Sequence, residues 1–131
     1  IERANEYKDV ILLPHIGAST NQAEENCAVM AVNQITDFLE TGNIKNSVNF
    51  PNVQLKRTTD YRISIINKNV PAMIGQIATA LGELNLNIAE MTNVSRGEIA
   101  YNLIDIENEV DEESIIELRE IKNVINVRLI R

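Results

Sequence analysis

The chain has 131 residues, 44% hydrophobic and 24% charged, with 5 Gly and 3 Pro, a balance that excludes collagen-like, low-complexity and wholly disordered chains. Its 12 Lys+Arg against 19 Asp+Glu give a net charge of −7. That charge disfavours nucleic acid and anionic membrane surfaces as partners, and leaves a small molecule or a second copy of the chain. No apolar run approaches the ~20 residues of a membrane-spanning helix, and the N-terminal residues lack the order of a secretory signal, so a cytoplasmic location is expected. The single Cys27 cannot form an internal disulfide, which suits a reducing compartment.

In chain order, Val10 to Pro14 (VILLP) reads as a short strand buried on both sides, as in a parallel sheet. The turn His-Ile-Gly-Ala-Ser-Thr then delivers the chain to a helix over residues 20–40, with Ser19 and Gln22 spaced as a capping box. Ala23, Cys27, Met30, Ala31, Gln34, Ile35, Phe38 and Leu39 give this helix an apolar face, on which Cys27 is expected as a buried, inert thiol. Gly42 stands where a C-terminal cap belongs. A strand of the VILLP type needs neighbours on both sides, yet only nine residues precede it. Either it pairs with a partner chain or the sequence is the tail of a longer protein; the second reading is favoured.

Residues 43–60 are polar, contain Pro51 and lack a sustained period, so they read as a connector and natural hinge. Tyr61 to Ile66 alternates as a half-buried strand. After a loop, Pro71 suits the first position of a helix running to about Leu84, with Ile74, Ile77, Ala78 and Leu81 on its apolar face. Leu86 to Val94 and Ile99 to Ile106 read as strands joined by a Ser95–Glu98 hairpin turn. Asp111 caps a short helix to about Glu120, and Val124 to Ile130 is the last strand. The order β-α-β-β-α-β is the α+β, ferredoxin-like unit. A lone sheet of this kind exposes one face and two edges, so at least a homodimer is expected.

The run Pro14-His15-Ile16-Gly17-Ala18-Ser19-Thr20 followed by Gln22-Ala23-Glu24-Glu25-Asn26 resembles the NAD-dependent 2-hydroxyacid dehydrogenases. Together with Ser47-Val48-Asn49-Phe50-Pro51 and Asn69-Val70-Pro71-Ala72-Met73, it is similar to the C-terminal part of the D-3-phosphoglycerate dehydrogenase family, with its ACT regulatory domain. The resemblance implies that residues 1–17 end a nucleotide-binding domain and 18–53 return toward the substrate-binding domain. It makes 54–60 a linker and 61–131 the ACT domain. It also implies His15 as the acid–base residue, a role suited to imidazole, and Gly17 near the nicotinamide. No GxGxxG fingerprint is present, so no NAD is expected on this chain and no dehydrogenase activity from it alone.

By the same resemblance, the ACT domain binds an amino acid, with L-serine the expected effector in serine biosynthesis, at a subunit interface for feedback inhibition. Asn67, Asn69, the free amides of Ala72, Met73 and Ile74 at a helix start, and Asn87 from a neighbouring subunit are its implied contacts. Two residues depart from the family pattern: Asn67 stands where some serine-inhibited members carry histidine, and Pro71-Ala72 replaces Pro-Gly. Gly75 is read as a close-packing position. The alternative is an ACT-like unit that only dimerises the enzyme; a stand-alone amino-acid sensor fits the His15 motif poorly. The acidic cluster Glu107, Glu109, Asp111, Glu112 and Glu113 reads as a solvated helix start rather than a metal site, since it lacks a spaced calcium loop. Tyr61 and Tyr101 are too few and too acidic in setting for an RNA-binding sheet.

Overall fold

The computed structural model describes residues 16–17 and 19–131; the VILLP strand and His15 lie outside the described residues. The chain forms two compact units whose boundary falls between Asn33 and Gln34, inside helix α1 (Asn21–Thr41). In the first unit the Thr20 hydroxyl accepts from the Ala23 amide at 3.2 Å, so Thr20 caps the helix rather than Ser19. The cause is the start at Asn21, which puts Thr20 at the N-cap, while the Ser19 amide closes a turn onto the Ile16 carbonyl at 3.0 Å. Cys27 is exposed and no residue of α1 is buried, contrary to the expectation of a covered apolar face. Among the described residues of that unit no second element exists to cover it.

The second unit carries β1 (Tyr61–Lys68), α2 (Met73–Glu83), β2 (Ile88–Arg96), β3 (Ile99–Ile106), α3 (Glu112–Glu120) and β4 (Val124–Ile130). The sheet order is β2-β3-β1-β4 and every neighbouring pair is antiparallel, which is the ferredoxin-like arrangement. β2 and β3 are joined by a two-residue turn with Gly97 at φ 61, a hairpin position that glycine occupies without strain. Helix α2 ends in a Schellman motif. Asn85 takes φ 56, its amide donates to the Gly82 carbonyl, and the Leu86 amide reaches the Leu81 carbonyl at 2.8 Å. Asp111 caps α3 by accepting from the Ser114 amide at 2.8 Å, and the Ser114 hydroxyl first, then this amide, lower its pKa.

One face of the sheet packs under α2 and α3 through Ile63, Ile65, Ile77, Leu81, Ile104, Ile106, Ile115 and Leu118, all at most 1% exposed. The buried stripe of α2 is Met73, Ile77 and Leu81, spaced by four; Ile74, expected on it, is 50% exposed because it falls about 100° around the helix from Met73. The opposite face is covered as well. Ile44, Val53 and Leu55, from the segment read as a connector, are buried against Tyr101, Leu103 and Ile130, with Phe38 and Phe50 packed alongside. An antiparallel bridge between Ile44 and Val53 folds that segment back on itself. The alternation of Tyr61–Ile66 therefore does not mark a half-buried strand: Arg62 and Ser64 are buried along with Ile63 and Ile65.

The covering segment is held by a buried ion pair. The Arg62 Nε lies 2.5 Å from Asp105 Oδ1 and its Nη2 2.9 Å from Oδ2, with both side chains 0% exposed. Arg62 Nη1 also donates to the carbonyls of Thr41 (2.9 Å) and Leu55 (3.0 Å), and Asp105 Oδ2 accepts from the Thr58 amide and hydroxyl at 3.0 Å each. Every guanidinium nitrogen and carboxylate oxygen of the pair thus has a hydrogen-bond partner, the condition under which a desolvated pair is tolerated. Further along, Gly42 closes α1 at φ 75, its amide donating to the Phe38 carbonyl at 3.0 Å and its carbonyl accepting from the Tyr101 hydroxyl at 2.7 Å. Burial pushes the Tyr101 phenol above its ordinary 10.0.

Candidate functional site

The end of β1 and the start of α2 enclose an open cavity of about 150 Å³. Its wall includes Asn67, Asn69, Met73, Ile74, Gly75 and Asn93. The loop that shapes it is tied to the β2–β3 hairpin: the Asn69 amide donates to the Glu98 carbonyl at 2.8 Å, and its Nδ2 to the Gly97 carbonyl at 3.0 Å. Pro71 is not the first helical residue. Ala72 adopts φ 68, ψ 6, in the left-handed region, and the helix starts only at Met73 with no side chain capping it. The N–H groups of the first helical turn have no intrahelical acceptors by geometry, so the helix presents donors and the positive end of its dipole at this end.

The conformation of Ala72 is one that glycine adopts without strain and alanine does not. A Cβ at positive φ costs about 1–2 kcal/mol, the order of magnitude for single left-handed residues. Ala72→Gly is therefore expected to raise stability slightly, by about 0.5–1 kcal/mol, the relief exceeding glycine's greater flexibility when unfolded. Chemical denaturation midpoints at constant m-value check this; an unchanged or lower midpoint contradicts the strain. Gly75, read as a packing position, faces open space instead, since a Cβ built there meets nothing within 4 Å.

The candidate contacts separate into two places. Asn67, Asn69, Ala72, Met73 and Ile74 all line the cavity. Asn87 does not: it precedes β2 at the sheet end where Ile88 pairs with Ile106, whereas Asn67 pairs with Ala100 at the other. There its Nδ2 donates to Glu107 and its amide to Asn108 Oδ1 at 2.9 Å. Asn67 is 1% exposed and its amide is engaged within the protein, Nδ2 with the Lys68 carbonyl at 2.7 Å and Oδ1 with Asn102 Nδ2 at 2.6 Å. Asn93 and Asn102 belong to the same network and escape the sequence reading. The one signal was Asn102 itself, a polar residue on the side of β3 that carries Ile104 and Ile106.

Gly17, expected beside a nicotinamide, is exposed, and a Cβ built there meets nothing within 4 Å.

The chain is 31% identical over 131 residues to the D-3-phosphoglycerate dehydrogenase of Haemophilus influenzae, an alignment spanning 99% of this chain and 32% of that protein. To the protein of the same name from Escherichia coli K12 it is 30% identical over 95% of this chain and 31% of the relative. With D-3-phosphoglycerate dehydrogenase 1 of Saccharomyces cerevisiae the identity is 32%, over 92% of this chain and 26% of the relative. The chain thus spans about a third of the length of the curated relatives it matches. No family model matches it. Among solved structures, the ACT domain of GTP pyrophosphokinase from Chlorobium tepidum is similar at 20% identity and a TM-score of 0.45, over 53% of this chain and 95% of that one. The regulatory subunit of aspartate kinase from Thermus thermophilus is similar at 13% identity and a TM-score of 0.46, over 54% and 50% respectively. Over nearly its whole length this chain is homologous to a stretch about a third as long as the D-3-phosphoglycerate dehydrogenases it matches, and within it residues 61–131 take the α+β, ferredoxin-like fold expected of an ACT domain.

Proposed function

We propose that the chain forms the regulatory part of a cytoplasmic, NAD-dependent D-3-phosphoglycerate dehydrogenase, and that its ACT domain binds L-serine as a feedback inhibitor. The observation that carries this reading is the cavity at the uncapped start of α2, flanked by Asn69 and lined by the helix's first residues. An amino acid has the complementary chemistry: its carboxylate is matched to helix N-terminal amides and the positive end of the dipole. Asn69 has its Nδ2 on Gly97, which leaves its Oδ1 to accept from the ligand. Since Asn87 sits at the far end of the sheet in its own chain, it reaches the ligand only as Asn87 of the partner subunit, and the site is assembled on dimerisation. On this reading residues 1–17 end the nucleotide-binding domain, 18–53 lead back to the substrate-binding domain, and 54–60 link to the ACT domain. His15 would serve the catalytic part of the enzyme as its acid–base residue, a role that suits an imidazole whose ordinary pKa lies near neutrality.

A second reading, that the domain only assembles the enzyme, draws on the engaged amide of Asn67 and on the exposed Ile74, Ile116 and Ile125, which are 50%, 56% and 54% exposed. Titration calorimetry of the intact protein with L-serine separates the two. Saturable binding that weakens at least tenfold in Asn69→Ala and in Asn87→Ala is the expected result, each loss corresponding to a hydrogen bond to a charged ligand. No heat at millimolar serine from a protein that is dimeric by light scattering leaves the assembly reading.

A further inference from the structure

We infer that Asn93 is a specificity residue of the proposed effector site, its amide oxygen receiving the ammonium group of the bound amino acid; the inference rests on the regulatory reading above. Three asparagines on neighbouring strands form one chain of amide hydrogen bonds across the sheet. Asn93 Nδ2 on β2 donates to Asn102 Oδ1 on β3 at 2.6 Å, and Asn102 Nδ2 donates to Asn67 Oδ1 on β1 at 2.6 Å. The register places Asn93 directly opposite Asn102.

The direction of this chain is set by two main-chain carbonyls. An amide side chain has one acceptor end and one donor end, and a backbone carbonyl can only accept. Asn67 must turn its nitrogen toward the Lys68 carbonyl, 2.7 Å away, so its oxygen faces Asn102. Asn102 must turn its nitrogen toward the Ile65 carbonyl, 3.1 Å away, as well as toward that oxygen. Its own oxygen is then left for Asn93, which has to offer nitrogen. Asn102 and Asn67 are 0% and 1% exposed, so no water competes for these positions. A flip at any member would set like ends against each other inside the sheet, which is costly where solvent is excluded.

The consequence appears at the exposed end. Asn93 stands in the wall of the same cavity as Met73, Ile74 and Gly75, and its Oδ1 has no partner among the described residues. One wall of the cavity therefore carries the donors of the α2 terminus, and another carries an acceptor whose orientation is locked from within. A zwitterion matches that pairing, with the carboxylate on the helix and the ammonium on Asn93 Oδ1. A carboxylic acid without an amine satisfies only the first. Asn102 and Asn67 act as positioning residues for the Asn93 amide.

The test uses the intact protein and two ligands that differ only in the amine, L-serine and 3-hydroxypropanoate, with affinities read by calorimetry or by competition. Wild type is expected to prefer L-serine. Asn93→Ala and Asn93→Ser are expected to weaken L-serine about tenfold or more and to leave 3-hydroxypropanoate within about twofold, so that the preference collapses. Both substitutions fall on an exposed edge-strand position, and thermal melting confirms the fold. Equal weakening of both ligands, or unchanged serine affinity in a wild-type background that binds serine, overturns the assignment of Asn93 alone. A wild-type protein that binds no amino acid overturns the regulatory reading and this assignment with it.

Discussion

Asp105→Ala is expected to cost the second unit about 3–5 kcal/mol, the range for breaking a buried ion pair by removing one partner. The loss comes less from the missing attraction than from what remains, a guanidinium that is 0% exposed and without its counter-charge. Urea unfolding followed by circular dichroism measures it; a loss below about 1 kcal/mol would place the pair among surface-like bridges and contradict its enclosure. Replacing both partners together, Arg62→Met with Asp105→Leu, is expected to recover much of that loss, since paired apolar groups need no desolvation of charge.

The same pair sets an acid limit. Burial pushes the Asp105 carboxyl up, but the bonds from Arg62 and from the Thr58 amide and hydroxyl outweigh it and hold the group below the ordinary 3.8. A carboxyl with a lowered folded-state pKa adds stability that is fully present above the unfolded value and disappears as pH falls through the folded one. Denaturation midpoints should therefore be insensitive to this group at neutral pH and decline below about pH 4, the unfolded aspartate region. In Asp105→Asn that component of the decline should be missing.

Gly42→Ala is the second large effect, expected at about 2–4 kcal/mol. Two penalties combine: a Cβ at φ 75, of order 1–2 kcal/mol, and overpacking of a filled core. The new methyl would lie 2.7 Å from Leu103 Cδ1 and 2.8 Å from Ile130 Cδ1, and 3.3 Å from the Tyr101 hydroxyl that bonds to Gly42's own carbonyl. The first two neighbours are side-chain tips that can shift, which keeps the estimate from rising further. Guanidinium unfolding reads the change, and a midpoint within error of wild type would mean that the α1 end is not held as the Tyr101–Gly42 bond indicates.

Much of the fold was legible because local signals and tertiary packing agree. β3 and β4 fall where the strand reading puts them, at Ile99–Ile106 and Val124–Ile130, and Asp111 caps α3 as its position ahead of two glutamates suggests. Gly42 ends α1 as a helix-stop glycine should. The errors arise where a long-range contact overrides a local pattern. Arg62 and Ser64 sit at polar positions of an alternating strand and so read as solvent-facing; only the return of residues 44–55 across that side makes them core. That segment is polar and irregular by composition, and three scattered side chains (Ile44, Val53 and Leu55) give no period by which to foresee its docking. At the candidate site, Asn69 and the helix start could be picked out from the Asn-x-Pro run, whereas Asn93 and Asn102 gain meaning only through the β2–β3 register.

The strap across the sheet also bears on where this polypeptide can be divided. Its sequence invites a cut near residue 60, yet a piece starting at Tyr61 would uncover Tyr101, Leu103 and Ile130 and strand the Arg62 guanidinium without the Thr41 and Leu55 carbonyls. Such a piece would be sticky for reasons unrelated to its ligand chemistry. The smallest autonomous building block that can be excised and moved to another enzyme begins upstream of Phe38, carrying the last turns of α1 with it.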